Sequence, residues 1–599
     1  MPRTKAHGQI RQSQVIYTWG PGALLDLPTG SVMVAGLETW NQSSLTEIDE
    51  PRLVHKLQVM TDIRDVRIYQ PPAASTDPRE KTTGIGVRLF PEWFVAQPKD
   101  DGDTGNAATR SRRLVHRKAL DDRGRFEQQE VVPTRFVRAC PLGHIDDLDW
   151  FWFVHGPNNP CRGDLWLVET GTSGDLSELL VRCGGCKKTR ALVEAKQVDR
   201  NPLGTCRGNR PWLGSNTRED CSRPSRLLIR TAANAYFPHV MSVLSLPDRV
   251  SDLQRRIDEQ WDDLQIVDDL DTLAVIKRKP VVTQALAAFT NEEVLKGIRR
   301  KKHPDHSKEK VKTVEIQQIL SAPEGFGDDV PINENFHARR LPDTAWRHSK
   351  NYEAVESLIQ LHRLREVSAL VGFTRFESVT PNIHGEYDSD VERAALAAEP
   401  SWFPAIENRG EGIFIQLRSD AIDAWLARPN VKDRLETLQQ GHARWWEPRS
   451  KTPPPFPGGA YIVLHTLSHL LIQSLSVSSG YPISSIRERI YAEERQFGIL
   501  LYTASPDADG TLGGLVQQAR QMETHLHYAL DLGKLCSNDP ICAQHSPAEQ
   551  LGGRLLTGAA CHGCVLLPET SCEMRNDYLD RSLVISGLGV TETALFSRA

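Results

Sequence analysis

Several features that would place a chain of 599 residues quickly are missing from this one. No stretch approaches the roughly 18 consecutive apolar residues that a membrane helix needs. The first residues, Met1 to Tyr17, lack the apolar core of a secretory leader, so a soluble, cytoplasmic protein is expected. Charge of one sign is not in excess: 72 Lys and Arg against 77 Asp and Glu leave a formal net charge of -5, which excludes a protein that coats nucleic acid through bulk charge. The GxxxxGK[ST] phosphate loop is absent, which removes a P-loop ATPase, and no Gly-x-Ser-x-Gly elbow of a hydrolase is present. Cysteine is absent from residues 222–535.

What cysteine there is falls into two groups. Cys140, Cys161, Cys183, Cys186, Cys206 and Cys221 form the first, and Cys536, Cys542, Cys561, Cys564 and Cys572 the second. In a reducing compartment disulfides are rare, and CxxC pairs bind zinc or serve redox chemistry. In Cys183-Gly-Gly-Cys186 the glycines let the backbone turn tightly enough for both sulfurs to face one ion, and Cys206 and Cys221 are expected to complete a four-thiolate shell. Cys140 and His144, with His155 and Cys161, make a looser set that either holds another ion or packs. In the second group Cys561, Cys564 and Cys572 are expected ligands, with Cys536 or Cys542 as the fourth and His545 a weaker choice. The Ala559-Ala560 lead-in and a proline soon after CxxC argue for a loop rather than the helix start of a thioredoxin-like redox site. Closed four-ligand sites leave no position for substrate, so two or three structural Zn2+ ions are expected.

Length alone suggests about three to five domains. The expected class is α+β and multidomain, with a zinc-stapled segment near 140–221 and a C-terminal mixed α/β zinc-binding domain. The divisions are an N-terminal mixed α/β domain (1–137) with a polar insertion near 97–128, a cysteine-rich segment (138–248), a mainly helical middle domain (249–450) and a last domain (451–599). The last follows Lys451-Thr-Pro-Pro-Pro-Phe-Pro-Gly-Gly459, where proline and glycine deny both helix and sheet. Val15 to Gly22 reads as a strand ending in a Gly20-Pro21-Gly22 turn, Ser357 to Glu366 as a helix, and Gly412 to Leu417 and Phe497 to Thr503 as buried strands. Leu253, Ile257 and Trp261 fall four apart on one helical face.

Tyr461 to Leu475 reads as a helix that carries His465 and His469 on one side. No Glu follows the first histidine as a metalloprotease requires, and the leucines between look like core, so packing or hydrogen-bonding histidines are the preferred reading. Arg299, Arg300, Lys301 and Lys302, in a basic run that continues to Lys312, are candidate nucleic-acid contacts. Asp146, Asp147 and Asp149 beside His144 form the one compact acidic group that resembles a hydrolytic metal site. His116-Arg-Lys118 resembles half of a phospholipase D-type motif, but the aspartate expected five residues on is Arg123.

Taken in order, Leu464-His465-Thr-Leu-Ser-His469, Gly498-Ile-Leu-Leu-Tyr502, Gly510-Thr-Leu-Gly513-Gly514, Cys561-His-Gly-Cys564, Cys572 and Asn576-Asp-Tyr-Leu-Asp580-Arg581 resemble the C-terminal zinc-binding domain of MrfA-type repair helicases. The motor of those helicases is not part of this chain. Upstream, Arg11-Gln-Ser-Gln14, Gly20-Pro21-Gly22, Cys140-Pro-Leu-Gly-His144, Pro211-Trp-Leu-Gly214 and Asn234-Ala-Tyr-Phe-Pro238 resemble the DrmB subunits of DISARM anti-phage systems, a likeness that runs from about residue 9 to 583. The resemblance implies a non-catalytic subunit that pairs with a DrmA-like helicase as a heterodimer and engages DNA mainly through that complex. The rival expectations are an independent metal-dependent nuclease and a stand-alone DNA-binding module.

Overall fold

The computed structural model describes residues 10–28, 30–73, 84–97, 110–157, 159–197, 200–246, 253, 256–257, 259–287, 289–302, 310–327, 335–348, 352–387, 391–449, 453–503, 514–547, 554–588 and 592–596. The frame is one eight-stranded sheet built on two long antiparallel strands, Val355–Thr374 and Trp402–Leu417. Each outer edge of this pair is shared along its length. Phe336–Arg340 and then Phe237–Leu244 pair with successive halves of the first long strand. Gln496–Thr503 pairs with one end of the second, and Arg67–Gln70 runs parallel to its other end. Ile486–Glu493 closes the far edge against Gln496–Thr503. Thr46–Glu47 adds the eighth strand beside Arg67–Gln70, and segments from residue 46 to residue 503 thus meet in one hydrogen-bonded layer, across the division expected at 451.

Ser357 to Glu366, expected as a helix, lies within the first long strand. Almost every residue of that strand is buried on both faces, so the two-residue alternation that marks a half-exposed strand is missing, and Leu358, Leu361 and Leu364 mimic helical spacing. Gly412 to Leu417 and Phe497 to Thr503 are strands as read. Residues 336–417 of the expected helical middle therefore belong mainly to the sheet, and among the described residues the helices of this region fall within 261–285, 291–302, 311–320 and 419–446. Leu253 and Ile257 join Leu264, Leu273, Val282 and Ile298 in a small separate core, with Trp261 packed against it.

The main core lies where the helix Gly458–Ser479 packs across the sheet. This helix is long and apolar enough to cross a membrane by length and composition, yet its apolar window is 83% buried inside the protein. A second core covers the other end of the long strands and receives the N-terminal segment. There Gln12–Tyr17 is a short helix rather than the expected strand. The Gln14 side chain accepts from the Arg11 amide at 2.9 Å, and Val15 and Ile16 are buried. Gly22, at φ +86°, lies so close to the Phe373 ring that a Cβ would fall 2.3 Å from it. Arg375, fully buried, donates to the Gly22 carbonyl at 2.7 Å, so core packing accounts for the Gly20-Pro21-Gly22 turn.

Beside this frame stands a smaller β module: a six-stranded antiparallel sheet from Trp93 to Ala191 and a three-stranded sheet of Phe136–Ala139, Ile145–Asp147 and Arg226–Ile229. Its core is only about a third the size of the main one, and cysteines sit where its strands end. The expected insertion near 97–128 falls partly outside the described residues; Arg110–His116 is a strand of the six-stranded sheet.

Leu467 is completely buried between the central helix and the sheet. Leu467→Ala is expected to cost about 2–5 kcal/mol, the usual penalty for a core leucine, read as a lower midpoint in thermal or denaturant unfolding.

Candidate metal centres

Three groups of cysteine and histidine converge, with all ligand atoms in each group within 4.8 Å of one another. The first contains Cys140, His144, Cys206 and Cys221. Cys140 and His144 bracket the turn of the hairpin Phe136–Ala139 and Ile145–Asp147, closed by the Cys140 amide donating to the His144 carbonyl at 3.1 Å. Cys140 Sγ lies 3.3 Å from His144 Nδ1. The Nε2–H of His144 donates to Glu219, which Arg210 holds from behind at 2.9 Å. A carboxylate behind an imidazole fixes its tautomer and leaves Nδ1 free to ligate, as in carboxylate–histidine–zinc relays. A hydrogen bond from Cys140 draws the Cys206 thiol down to about 4, and that shared proton pushes Cys140 up.

The second group is His155, Cys161, Cys183 and Cys186. The chain reverses at Cys183-Gly-Gly-Cys186 as the strand Leu179–Cys183 ends, and Gly163 lies against Gly185 so closely that a Cβ would fall 2.8 Å from its amide nitrogen. Cys161 and Cys183 sulfurs are 3.6 Å apart. His155 closes the helix Trp150–His155, whose first turn Asp149 caps. Its Nδ1–H donates to the Phe151 carbonyl at 2.9 Å, and its buried Nε2 has no hydrogen-bond partner, the arrangement of an imidazole ready to ligate.

The third group is Cys536, Cys542, Cys561 and Cys564. Sulfur separations are 3.4 Å (Cys536 to Cys561), 3.7 Å (Cys561 to Cys564) and 3.9 Å (Cys542 to Cys564). A tetrahedral zinc with Zn–S near 2.3 Å spaces its sulfurs by about 3.8 Å, so this cage fits the ion without rearrangement. Backbone amides of Asn538 and Gly563 donate to Cys536 and Cys561 at 3.4 and 3.3 Å. Arg581, fully buried, reaches Cys542 at 3.5 Å and Asp539 at 2.9 Å. A hydrogen bond from Cys564, helped by Arg581, draws the Cys542 thiol down to about 5, and the same proton pushes Cys564 up.

The expected quartet Cys183, Cys186, Cys206 and Cys221 is therefore not one site. The two pairs belong to different centres, because the hairpin turn at Cys140 faces the 206–221 loop while the Cys183 knuckle faces His155 and Cys161. Cys140, His144 and Cys161, expected only as a looser set, are members of these two centres. In the C-terminal group both Cys536 and Cys542 face the CxxC, and Cys572 does not: it lies 3.1 Å from His465. His545 donates instead to the Arg554 carbonyl at 2.9 Å.

The remaining candidates are engaged elsewhere. Asp146 pairs with Arg138 at 2.5 Å, Asp149 with Arg207 at 3.0 Å, and Asp147 accepts the Glu92 amide at 3.0 Å, with burial pushing its carboxyl up to about 7. On the helix Asn291–Lys302, Arg299 donates to the Asp268 carbonyl at 3.1 Å, Lys302 pairs with Asp268 at 2.6 Å, and Lys301 sits 4.2 Å above the Trp261 ring. The side chain of Arg300 and residues 303–309 lie outside the described residues.

Fold and centres together define an α+β zinc-binding protein whose ligand sets are rich in thiolates. Residues 467–565, which hold all four cysteines of the third centre, match the MrfA Zn-binding domain, and residues 11–237, which hold the first two centres, match a domain of unknown function, DUF8724. The chain is 32% identical over 469 residues to the DISARM protein DrmB of Bacillus paralicheniformis, covering 76% of this chain and 81% of that protein. It belongs to the DrmB family.

Elemental analysis of the purified chain is expected to return at least three zinc ions; iron with visible absorbance would overturn the assignment. Cys564→Ser is expected to lose one ion and lower the melting midpoint. Glu219→Gln spares every ligand but is expected to weaken zinc retention at the first centre about 10- to 100-fold in a chelator competition.

Proposed function

We propose that this chain is a non-catalytic subunit of an anti-phage defence complex in the cytoplasm, forming a heterodimer with a DrmA-like helicase, supporting the motor and engaging foreign DNA with it. The observation that carries this reading is an MrfA-type zinc domain in a DrmB-family chain whose sequence contains no phosphate-binding loop. Each cysteine centre is a closed four-donor cage, suited to holding a surface in shape rather than to activating water. An independent nuclease is disfavoured because the acidic group at 146–149 is occupied by arginines and a backbone amide. Arg299, Lys301 and Lys302 are proposed as phosphate contacts within the complex; the Asp268 carboxylate that pairs with Lys302 is itself exposed, so a phosphate can compete with it for the ammonium group.

Co-expression with the helicase subunit of the same defence system is expected to yield a stable one-to-one complex. Its ATPase activity or DNA affinity should exceed that of the helicase alone, while this chain alone hydrolyses no ATP. ATP hydrolysis or strand cleavage by the isolated chain would refute the proposal. Arg299→Glu combined with Lys302→Glu is expected to weaken DNA binding by the complex and to flatten its salt dependence by about one to two charges.

A further inference from the structure

The central helix carries His465 and His469 one turn apart, and both imidazoles are fully buried. His469 Nδ1–H donates to the Val565 carbonyl at 2.7 Å, and His465 Nδ1–H points to the Tyr578 carbonyl at 3.3 Å. Carbonyl oxygens only accept, so each ring carries a proton on Nδ1 and turns Nε2 inward. The two Nε2 atoms face the same carboxylate oxygen, Glu488 Oε1, at 3.0 and 3.4 Å, and His465 Nε2 is 3.1 Å from Cys572 Sγ. All four donor atoms lie within 4.8 Å of one another, and all four residues are buried.

We infer that His465, His469, Glu488 and Cys572 form a fourth metal centre, a structural Zn2+ site with two nitrogen donors, one oxygen and one sulfur. Charge supports this. With neutral imidazoles, a carboxylate and a thiolate, a divalent ion makes the site neutral overall, the state that burial away from water requires. Without a cation the site must hold protons in its place, on Cys572 Sγ and on His465 Nε2 towards Glu488, and His469 Nε2 is still left without a well-formed hydrogen bond. The distances suit zinc, whose nitrogen, oxygen and sulfur ligands at about 2.0–2.3 Å stand roughly 3.3–3.7 Å apart. The surroundings are also those of an ordered site: both Nδ1 atoms are held by carbonyls, Ser468 Oγ–H donates to Glu488 Oε2, the Glu573 amide donates to Oε1 at 3.2 Å, and the Asn576 amide donates to Cys572 Sγ at 3.1 Å. Such an ion ties together the central helix, the edge strand Ile486–Glu493 and the C-terminal tract. Two of its ligands, His465 and Cys572, fall outside residues 467–565.

Anomalous diffraction at the zinc edge from crystals of the full chain, alone or with its partner, is expected to show a peak within about 2.3 Å of His469 Nε2, separate from those at the cysteine centres. No peak at that position overturns the inference. As a second reading, Cys572→Ala is expected to contain one zinc fewer than the unsubstituted chain, with the three cysteine centres retained; an unchanged zinc content overturns it. Should that variant fail to fold, the diffraction result on the native chain decides.

Discussion

Four cysteine sulfurs crowded into a sphere less than 5 Å across repel one another as thiolates and strand their protons as thiols, so a cation among them is the condition on which the local fold rests. In the third centre the protein meets part of that demand itself, through Arg581 and inward-pointing amides. The divalent ion supplies the rest, and because unfolded chain offers no preformed cage, its binding free energy becomes folding free energy. The β module at 93–229 needs this most, since a small core of short strands supplies little stabilisation of its own.

The two long strands play the corresponding part at larger scale. Buried on both faces, they let one core form against the central helix and another against the N-terminal segment. Buried ion pairs lock the attachments: Glu315 with Arg489 at 2.6 Å, Lys312 with Glu573 at 2.8 Å, and Arg365 between Glu50 and Glu407. Such pairs add little net stability over apolar packing but penalise any register that separates them.

Much of this was legible in the residues. The CxxC pairs announced metal, and the central helix and the strands at 412–417 and 497–503 followed from apolar runs and turn signals. The grouping of ligands was not legible, because the first two centres are nested in the chain: Cys140 and His144 reach over the entire second centre to meet Cys206 and Cys221. Spacing pairs a half-site with its nearest neighbours, and only tertiary structure reveals nesting. Cys572 was misassigned for the same reason. The strand at 355–374 was obscured because burial on both faces erases the alternation by which strands are read. His465 and His469 were correctly placed on one helical side, but Glu488 and Cys572, which give that side its chemistry, are brought in from elsewhere in the chain.

The pairing of Arg67–Gln70 with Trp402–Pro404 has a consequence during synthesis. When the ribosome has made the first three hundred residues, the N-terminal segment still lacks the strand it docks against, and the Phe237–Leu244 edge lacks its neighbour. The Phe237–Leu244 edge waits until residue 374 has emerged from the exit tunnel, and Arg67–Gln70 until residues beyond 400 have. The β module is in a different position, because every ligand of its two centres lies before residue 222 and is available to close around an ion long before those strands are made.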